Sequence, residues 1–309
     1  MSNWKSKFIR VSIIVFCIHF TACSSSLLNF FRWFERSRAG LTEKTIEIDG
    51  HTVHYLEGGK GDTVLCIHGF GGTMDHWTRF ARYMTDAYRV VALDLPGFGD
   101  SSFKEGGDYS IAKQVERVHE FAHTLKLQKF HIVGNSMGGY IAGYYAITYP
   151  DDVITLGLFA AAGVKSPNES ELTKELKKGN NPLIVEDVKS YDRLMEFVFY
   201  KPIWLPGFAK QYFATQAVAK KTHFQYIFKQ IHDVTLLEKY LGNIHAPTLL
   251  LWGENDRVLD VSGAYVFKEK IRNAQLVVFK ECGHLPMIEK PEESATVYKR
   301  FLKGQKVEL

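Results

Sequence analysis

The sequence predicts an α/β chain: a mostly parallel, doubly wound sheet that begins with an antiparallel hairpin and carries a helical cap inserted after its sixth strand. Three observations predict it. Short apolar runs without polar alternation recur along the chain, helical stretches separate them, and one long stretch breaks the rhythm. Unalternated apolar runs belong to strands buried on both faces, which is the condition of parallel strands covered by helices on each side.

In chain order, Thr45 to Ile48 and Thr52 to Leu56 flank Asp49-Gly50, a turn dipeptide that predicts the hairpin. Thr63 to Ile67, Arg89 to Leu93 and Phe130 to Val133 follow as buried strands, with a helix over Ile111 to Leu125 between the last two. Leu156 to Ala160, Thr248 to Trp252 and Leu276 to Phe279 continue the series. Between about Gly163 and Tyr240 helical patterns are punctuated by Pro167, Pro182, Pro202 and Pro206, and no strand recurs. Eleven aromatic residues fall between Tyr191 and Phe228, a density well above the 14% of the whole chain. Part of them must pack the insertion itself; the others are expected to line an apolar pocket over the sheet. The expected organisation is an export signal or anchor over 1–22, a tether over 23–43, a core over 44–162 and 241–309, and a cap over 163–240.

The 309 residues hold 38 Lys and Arg against 34 Asp and Glu, and 46% are hydrophobic, a globular balance that excludes disordered, collagen-like and coiled-coil chains. The net charge of +4 is unevenly placed. Residues 1–40 carry six bases and one acid, so the remainder carries 32 bases and 33 acids. A near-neutral body has no footprint for a polyanion, and nucleic-acid binding is not expected. Lys5, Lys7 and Arg10 precede an apolar run from Val11 to Phe20 that ends at Thr21-Ala22-Cys23, the layout of a secretory signal and shorter than a bilayer span requires. Phe20-Thr21-Ala22-Cys23 resembles the lipobox of bacterial lipoproteins, with Phe20 where an aliphatic residue is usual; the resemblance implies lipidation at Cys23. An uncleaved anchor or an ordinary signal is the alternative. Either way the expected location is the cell envelope, membrane-anchored through the N-terminus, or outside the cell. After it, Leu27, Leu28, Phe30, Phe31, Trp33 and Phe34 interleave with Arg32, Arg36 and Arg38, a stretch suited either to a membrane interface or to packing on the body.

The chemistry centres on Gly134-Asn135-Ser136-Met137-Gly138, directly after a predicted strand and before a helical run. A serine on so tight a strand-to-helix turn needs small neighbours, and this context makes Ser136 the candidate nucleophile. A hydroxyl is a poor nucleophile at neutral pH and needs a base and a group to orient it. His284 follows the last strand and Asp256 the strand before it, so both can reach the sheet's carboxyl edge. Asp94, Glu254 and Asp260 are rival acids at less suitable positions. Charge developing on a carbonyl oxygen calls for N–H donors, assigned to the backbone amides of Phe70 in His68-Gly69-Phe70-Gly71-Gly72 and of Met137. His68 itself is expected to brace that loop. Cys66 and Cys282 form no paired motif for zinc, the glycine clusters match no dinucleotide or phosphate loop, and no cofactor or metal is expected.

These motifs, together with Asp94-Leu95-Pro96-Gly97-Phe98-Gly99, resemble the α/β-hydrolase superfamily over about residues 45–303. The stretches His68 to Trp77, Gly134 to Tyr140, Gly179 to Leu183 and Trp252 to Leu259 are similar to bacterial family V lipases and to membrane-anchored monoacylglycerol lipases. The resemblance implies hydrolysis of lipid carboxylic esters through an acyl-enzyme, with Ser136 as nucleophile, Asp256 as acid and His284 as base. Two other readings are a carbon–carbon bond hydrolase of ring-cleavage products, which shares the Gly-Asn-Ser-Met-Gly-Gly elbow, and a non-catalytic ligand-binding protein of the same fold.

Overall fold

The structure, a computed structural model, describes residues 27–231 and 237–307; the expected export segment and Cys23 lie outside the described residues. A helix over residues 27–38, α1, precedes β1 (Leu41–Ile48), β2 (His51–Gly58) and β3 (Thr63–Ile67). Next come α2 (Thr78–Ala81), β4 (Arg89–Leu93), α3 (Ile111–Thr124), β5 (Phe130–Asn135), α4 (Met137–Thr148) and β6 (Val153–Phe159). Among the described residues four α-helices follow before β7, α5 (Glu171–Lys177), α6 (Val188–Val198), α7 (Gly207–Ala219) and α8 (Lys221–Ile231), with a short 3-10 helix over Leu237–Asn243. The chain closes with β7 (Thr248–Gly253), α9 (Ser262–Lys270), β8 (Ala274–Phe279), α10 (Pro286–Glu289) and α11 (Pro291–Leu302).

The eight strands form one sheet in the order β1-β2-β4-β3-β5-β6-β7-β8. β2 pairs antiparallel with β1 and with β4, and every pairing beyond β4 is parallel. This is the α/β-hydrolase fold, with cap helices between β6 and β7 as the sequence predicts. Asp49 and Gly50 have φ of 51° and 70°, the left-handed pair that a two-residue hairpin turn demands. β2 and β8 begin one and two residues before their expected starts, at His51 and Ala274, and two strands differ more, for identifiable reasons. β1 begins at Leu41, four residues early, because this edge strand exposes Thr42 to Thr45 and carries no apolar run there. β6 begins at Val153, before the exposed Ile154, and ends before Ala160, whose φ of 44° breaks the extended backbone.

Burial on both faces explains the unalternated strands. In β3, Leu65 and Ile67 join the core layer of α3, α4 and α9, while Val64 and Cys66 join that of α2, α10 and α11; all four are wholly buried. Each such aliphatic side chain contributes about 1.5–3 kcal/mol on leaving water. Two of the cap helices begin at capping side chains. Ser170 accepts from the Thr173 N–H at the start of α5, and Asp187 and Ser190 cap α6 reciprocally.

At the other end of the chain, the Arg36 guanidinium donates to both carboxylate oxygens of Asp75 (2.6 and 2.8 Å) and to Glu43 (2.6 Å). Arg32 reaches Asp75 (3.1 Å) and Asp100 (2.6 Å). The basic side of α1 is therefore packed on the body. Among the described residues no helix is long and apolar enough to cross a membrane.

Candidate active site

Ser136 stands between β5 and α4 with φ 55° and ψ −118°, a conformation rarely open to a residue with a Cβ and worth of order 1–3 kcal/mol of strain. The surroundings hold it there. Its N–H donates to the Phe159 carbonyl (3.1 Å), and its own carbonyl accepts from Tyr140 (3.1 Å) and Ala162 (3.0 Å). The flanking glycines are required by close approach: a Cβ at Gly134 would lie 2.0 Å from the Gly138 oxygen, and one at Gly138 would lie 2.3 Å from the Ile67 oxygen. Asn135 and Met137 are buried and Ser136 only half so, which leaves the serine side chain as the accessible group of the elbow.

The His284 ring places Nδ1 2.8 Å from Asp256 Oδ2. Both residues are buried. The second carboxylate oxygen of Asp256 accepts from the Val258 and Leu259 amides (2.8 and 2.9 Å), so the carboxylate is fixed on three sides. Donation from Nδ1–H to Asp256 leaves Nε2 as the ring's acceptor, the tautomer a general base needs. The rivals take structural work instead. Asp260 accepts from the Ser262 amide, and Asp94 accepts from the Met74 and Asp100 amides (2.6 and 2.7 Å), with burial pushing its carboxyl up to about 7.

The His68–Gly72 loop lies against the elbow, close enough that a Cβ on Gly69 would meet Ser136 Cβ at 3.0 Å. Gly72 N–H closes a turn onto the Gly69 carbonyl (3.0 Å). The Phe70 amide sits at the second position of that turn, which the turn's own hydrogen bond does not use. Met137 opens α4, and the first amides of a helix have no acceptor within it. The Phe70 and Met137 amides are thus two N–H groups that neither the turn nor the first turn of α4 uses. His68 braces the loop as expected: Nδ1 donates to the Gly69 carbonyl (2.7 Å) and Nε2 accepts from the Leu95 amide (3.0 Å). Burial pushes this imidazole down to about 3, so it stays neutral and keeps that pattern.

Two residues that fix this geometry were not singled out by the sequence. Asn135 donates through Nδ2 to the Phe159 carbonyl (3.0 Å) and to the His284 carbonyl (3.1 Å), tying the serine turn to the histidine loop. Glu289 accepts from Gly283 N–H (2.9 Å) and from Tyr200 N–H (2.8 Å), joining the same loop to the cap. Burial pushes the Glu289 carboxyl up against these donors, which favour its charged form. Position in sequence gave a faint hint only for Glu289, five residues beyond His284. The cap meets the site at α6, where the Val198 carbonyl accepts from His284 N–H (2.9 Å), and at α8, where Phe224 and Phe228 pack on the Phe70 ring at 5.5 and 5.3 Å. Phe199 and Phe224 are buried, while Trp204 is 82% exposed.

Cys66 and Cys282 are free and buried, and desolvation pushes both thiols well up. Among the described residues no three His, Cys, Asp or Glu side chains are grouped as a metal ion would need.

Residues 64–297 match the sequence profile of the Alpha/beta hydrolase family. The chain is 35% identical to Lipase 1 of Psychrobacter immobilis over 87% of its own length and 86% of that protein. It is 31% identical to the monoacylglycerol lipase abhd6-A of Xenopus laevis, over 94% of this chain and 91% of that one. Among solved structures it is similar to a membrane phospholipase A that is a bacterial virulence factor, with 41% identity, a TM-score of 0.91, and 98% and 99% of the two chains covered.

Proposed function

The chain belongs to the Alpha/beta hydrolase family, and from that premise we propose that it is a serine hydrolase cleaving the carboxylic esters of glycerolipids through an acyl-enzyme. The observation that carries this reading is the buried Asp256–His284 hydrogen bond of 2.8 Å at the same sheet edge as the strained Ser136 turn. In the proposed cycle the Ser136 Oγ attacks the acyl carbonyl while His284 Nε2 takes its proton. The C–O bond to the alcohol then breaks, and His284 returns the proton to the leaving oxygen; water repeats the sequence to release the acid. Asp256 holds the imidazole in its tautomer and faces the imidazolium that forms. The Phe70 and Met137 amides receive the oxyanion, an interaction whose loss costs about 3–4 kcal/mol in comparable sites.

Lipid as the substrate class is supported by the names of the relatives, two of them lipases and one a phospholipase. It is supported also by the apolar wall that Phe70, Phe224 and Phe228 build beside the loop. Hydrolysis of p-nitrophenyl esters from acetyl to palmitoyl tests the reading. The expected profile rises to a medium or long chain, and Ser136→Ala lowers kcat by about a millionfold. A preference for acetyl over every longer ester would remove the lipid assignment. Faster turnover of a ring-cleavage dienoate than of any ester would favour carbon–carbon hydrolysis.

A further inference from the structure

Helix α1 turns Arg32 and Arg36 to the body and its rings to solvent. Leu28 is buried, whereas Phe30, Phe31, Trp33 and Phe34 are 54%, 49%, 60% and 41% exposed. The rings form one cluster, with Phe30 5.7 Å from Trp33 and 6.4 Å from Phe34. Four exposed aromatics within five positions make a contiguous apolar patch, which in a soluble domain marks a surface of contact.

Next to this patch, linked to it through Arg38, is a cleft of about 240 Å³ lined by Arg38, Arg79, Arg82, Glu35 and Tyr83. The Arg38 guanidinium lies 5.5 Å over the Phe34 ring, and Arg82 lies 5.8 Å over Tyr83. Three guanidinium groups face one carboxylate. That carboxylate, Glu35, is 3.7 Å from Arg38, a loose and largely exposed pair. Among the described residues neither Arg79 nor Arg82 has an acidic partner, in contrast to Arg32 and Arg36 on the inner side of the same helix.

We propose that this cleft binds the phosphate of an anionic phospholipid in a membrane on which the aromatic face of α1 rests. The guanidinium fork matches phosphate oxygens bidentately and is more easily dehydrated than an ammonium, so arginines suit a site half out of water. Phe and Trp side chains rest at the acyl and headgroup boundary, the depth at which a phosphate would meet the adjoining arginines. In the sequence the apolar run Val11 to Phe20 comes shortly before α1. An anchor of one short apolar segment or one acyl chain holds a surface weakly, and a basic site beside it provides the second contact that stable attachment needs. The site is independent of the ester chemistry.

The test uses the full chain in neutral maltoside micelles with equal amounts of dialkyl-ether phosphatidylglycerol and phosphatidylcholine, which no esterase can cleave, and counts retained lipids by native mass spectrometry. The wild type is expected to retain the glycerol lipid in roughly tenfold preference, and Arg79→Gln/Arg82→Gln to lose it. Turnover of a soluble short-chain ester is expected to be the same in both. Lys126→Gln/Lys129→Gln, which removes equal charge elsewhere, is expected to keep the preference. A double arginine variant that retains the preference, or a lysine control that loses it equally, would overturn the proposal. Full displacement of the lipid by millimolar inorganic phosphate would also overturn it, as the mark of a free-anion site.

Discussion

His68 shows at the scale of one residue how an expected brace becomes a measurable property. Its two hydrogen bonds hold only for the neutral ring, and burial enforces that ring down to about pH 3. In the unfolded chain the same imidazole titrates near its ordinary value of about 6.5. Below that pH the unfolded state takes up a proton that the folded state refuses, so this contribution to stability is complete above pH 6.5 and is lost as pH falls toward 3. His76, pushed down to about 4 by burial, adds a slope of the same sign. His68→Gln is expected to flatten the fall of Tm between pH 7 and pH 4.5 while lowering Tm by a few degrees at pH 7.5; an unchanged slope would show that His68 does not stay neutral in the fold. At this scale what was legible in the sequence is position: Ser136, Asp256 and His284 each follow the end of a strand in the structure too, and the last two meet at 2.8 Å. Asn135 and Glu289 escaped because their work is done through backbone atoms of loops that are distant in sequence or hidden by the turn, and no side-chain pattern records it.

The decisive element is the turn from β5 into α4. Its glycines serve packing as much as chain direction, since α4 crosses β3 so closely that a Cβ at Gly138 would fall 2.3 Å from the Ile67 oxygen and 2.5 Å from the His68 oxygen. Backbone cannot yield as a side-chain tip can. Gly138→Ala is therefore expected to destabilise by about 2–3 kcal/mol and to lower activity with it, because the displaced helix carries the Met137 amide and moves the His68 loop. Gly242→Ala, where a Cβ meets nothing within 4 Å, is the matched control and is expected to change Tm by less than about 1 °C. Comparable losses in both variants, read by thermal unfolding, would contradict the close-packing account. The buried strands were legible in sequence because burial on both faces writes itself as an apolar run. The start of β1 was not, because an edge strand with exposed Thr42 to Thr45 carries the composition of a loop.

Across the whole molecule, the charge excess read from the sequence acquires a location and two distinct uses. Arg32 and Arg36 fasten α1 to Asp75 and Asp100, close to the loop that follows β3, while Arg38 faces outward with Arg79 and Arg82. Alternation of Arg with aromatic residues announced an amphipathic segment. It did not say which side would meet the body, since the acids that decide this lie some forty to seventy residues away. The cap is likewise tied to the loop after β8 through His284 and Glu289, so cap and loop form one connected unit. The account as a whole depends on Ser136 being the nucleophile of that unit. The most direct measurement is labelling by an alkyl fluorophosphonate with the adduct mapped by mass spectrometry. The account predicts one equivalent on Ser136 in the wild type and none in Ser136→Ala, and an adduct that persists in that variant, or maps to another residue, would contradict it.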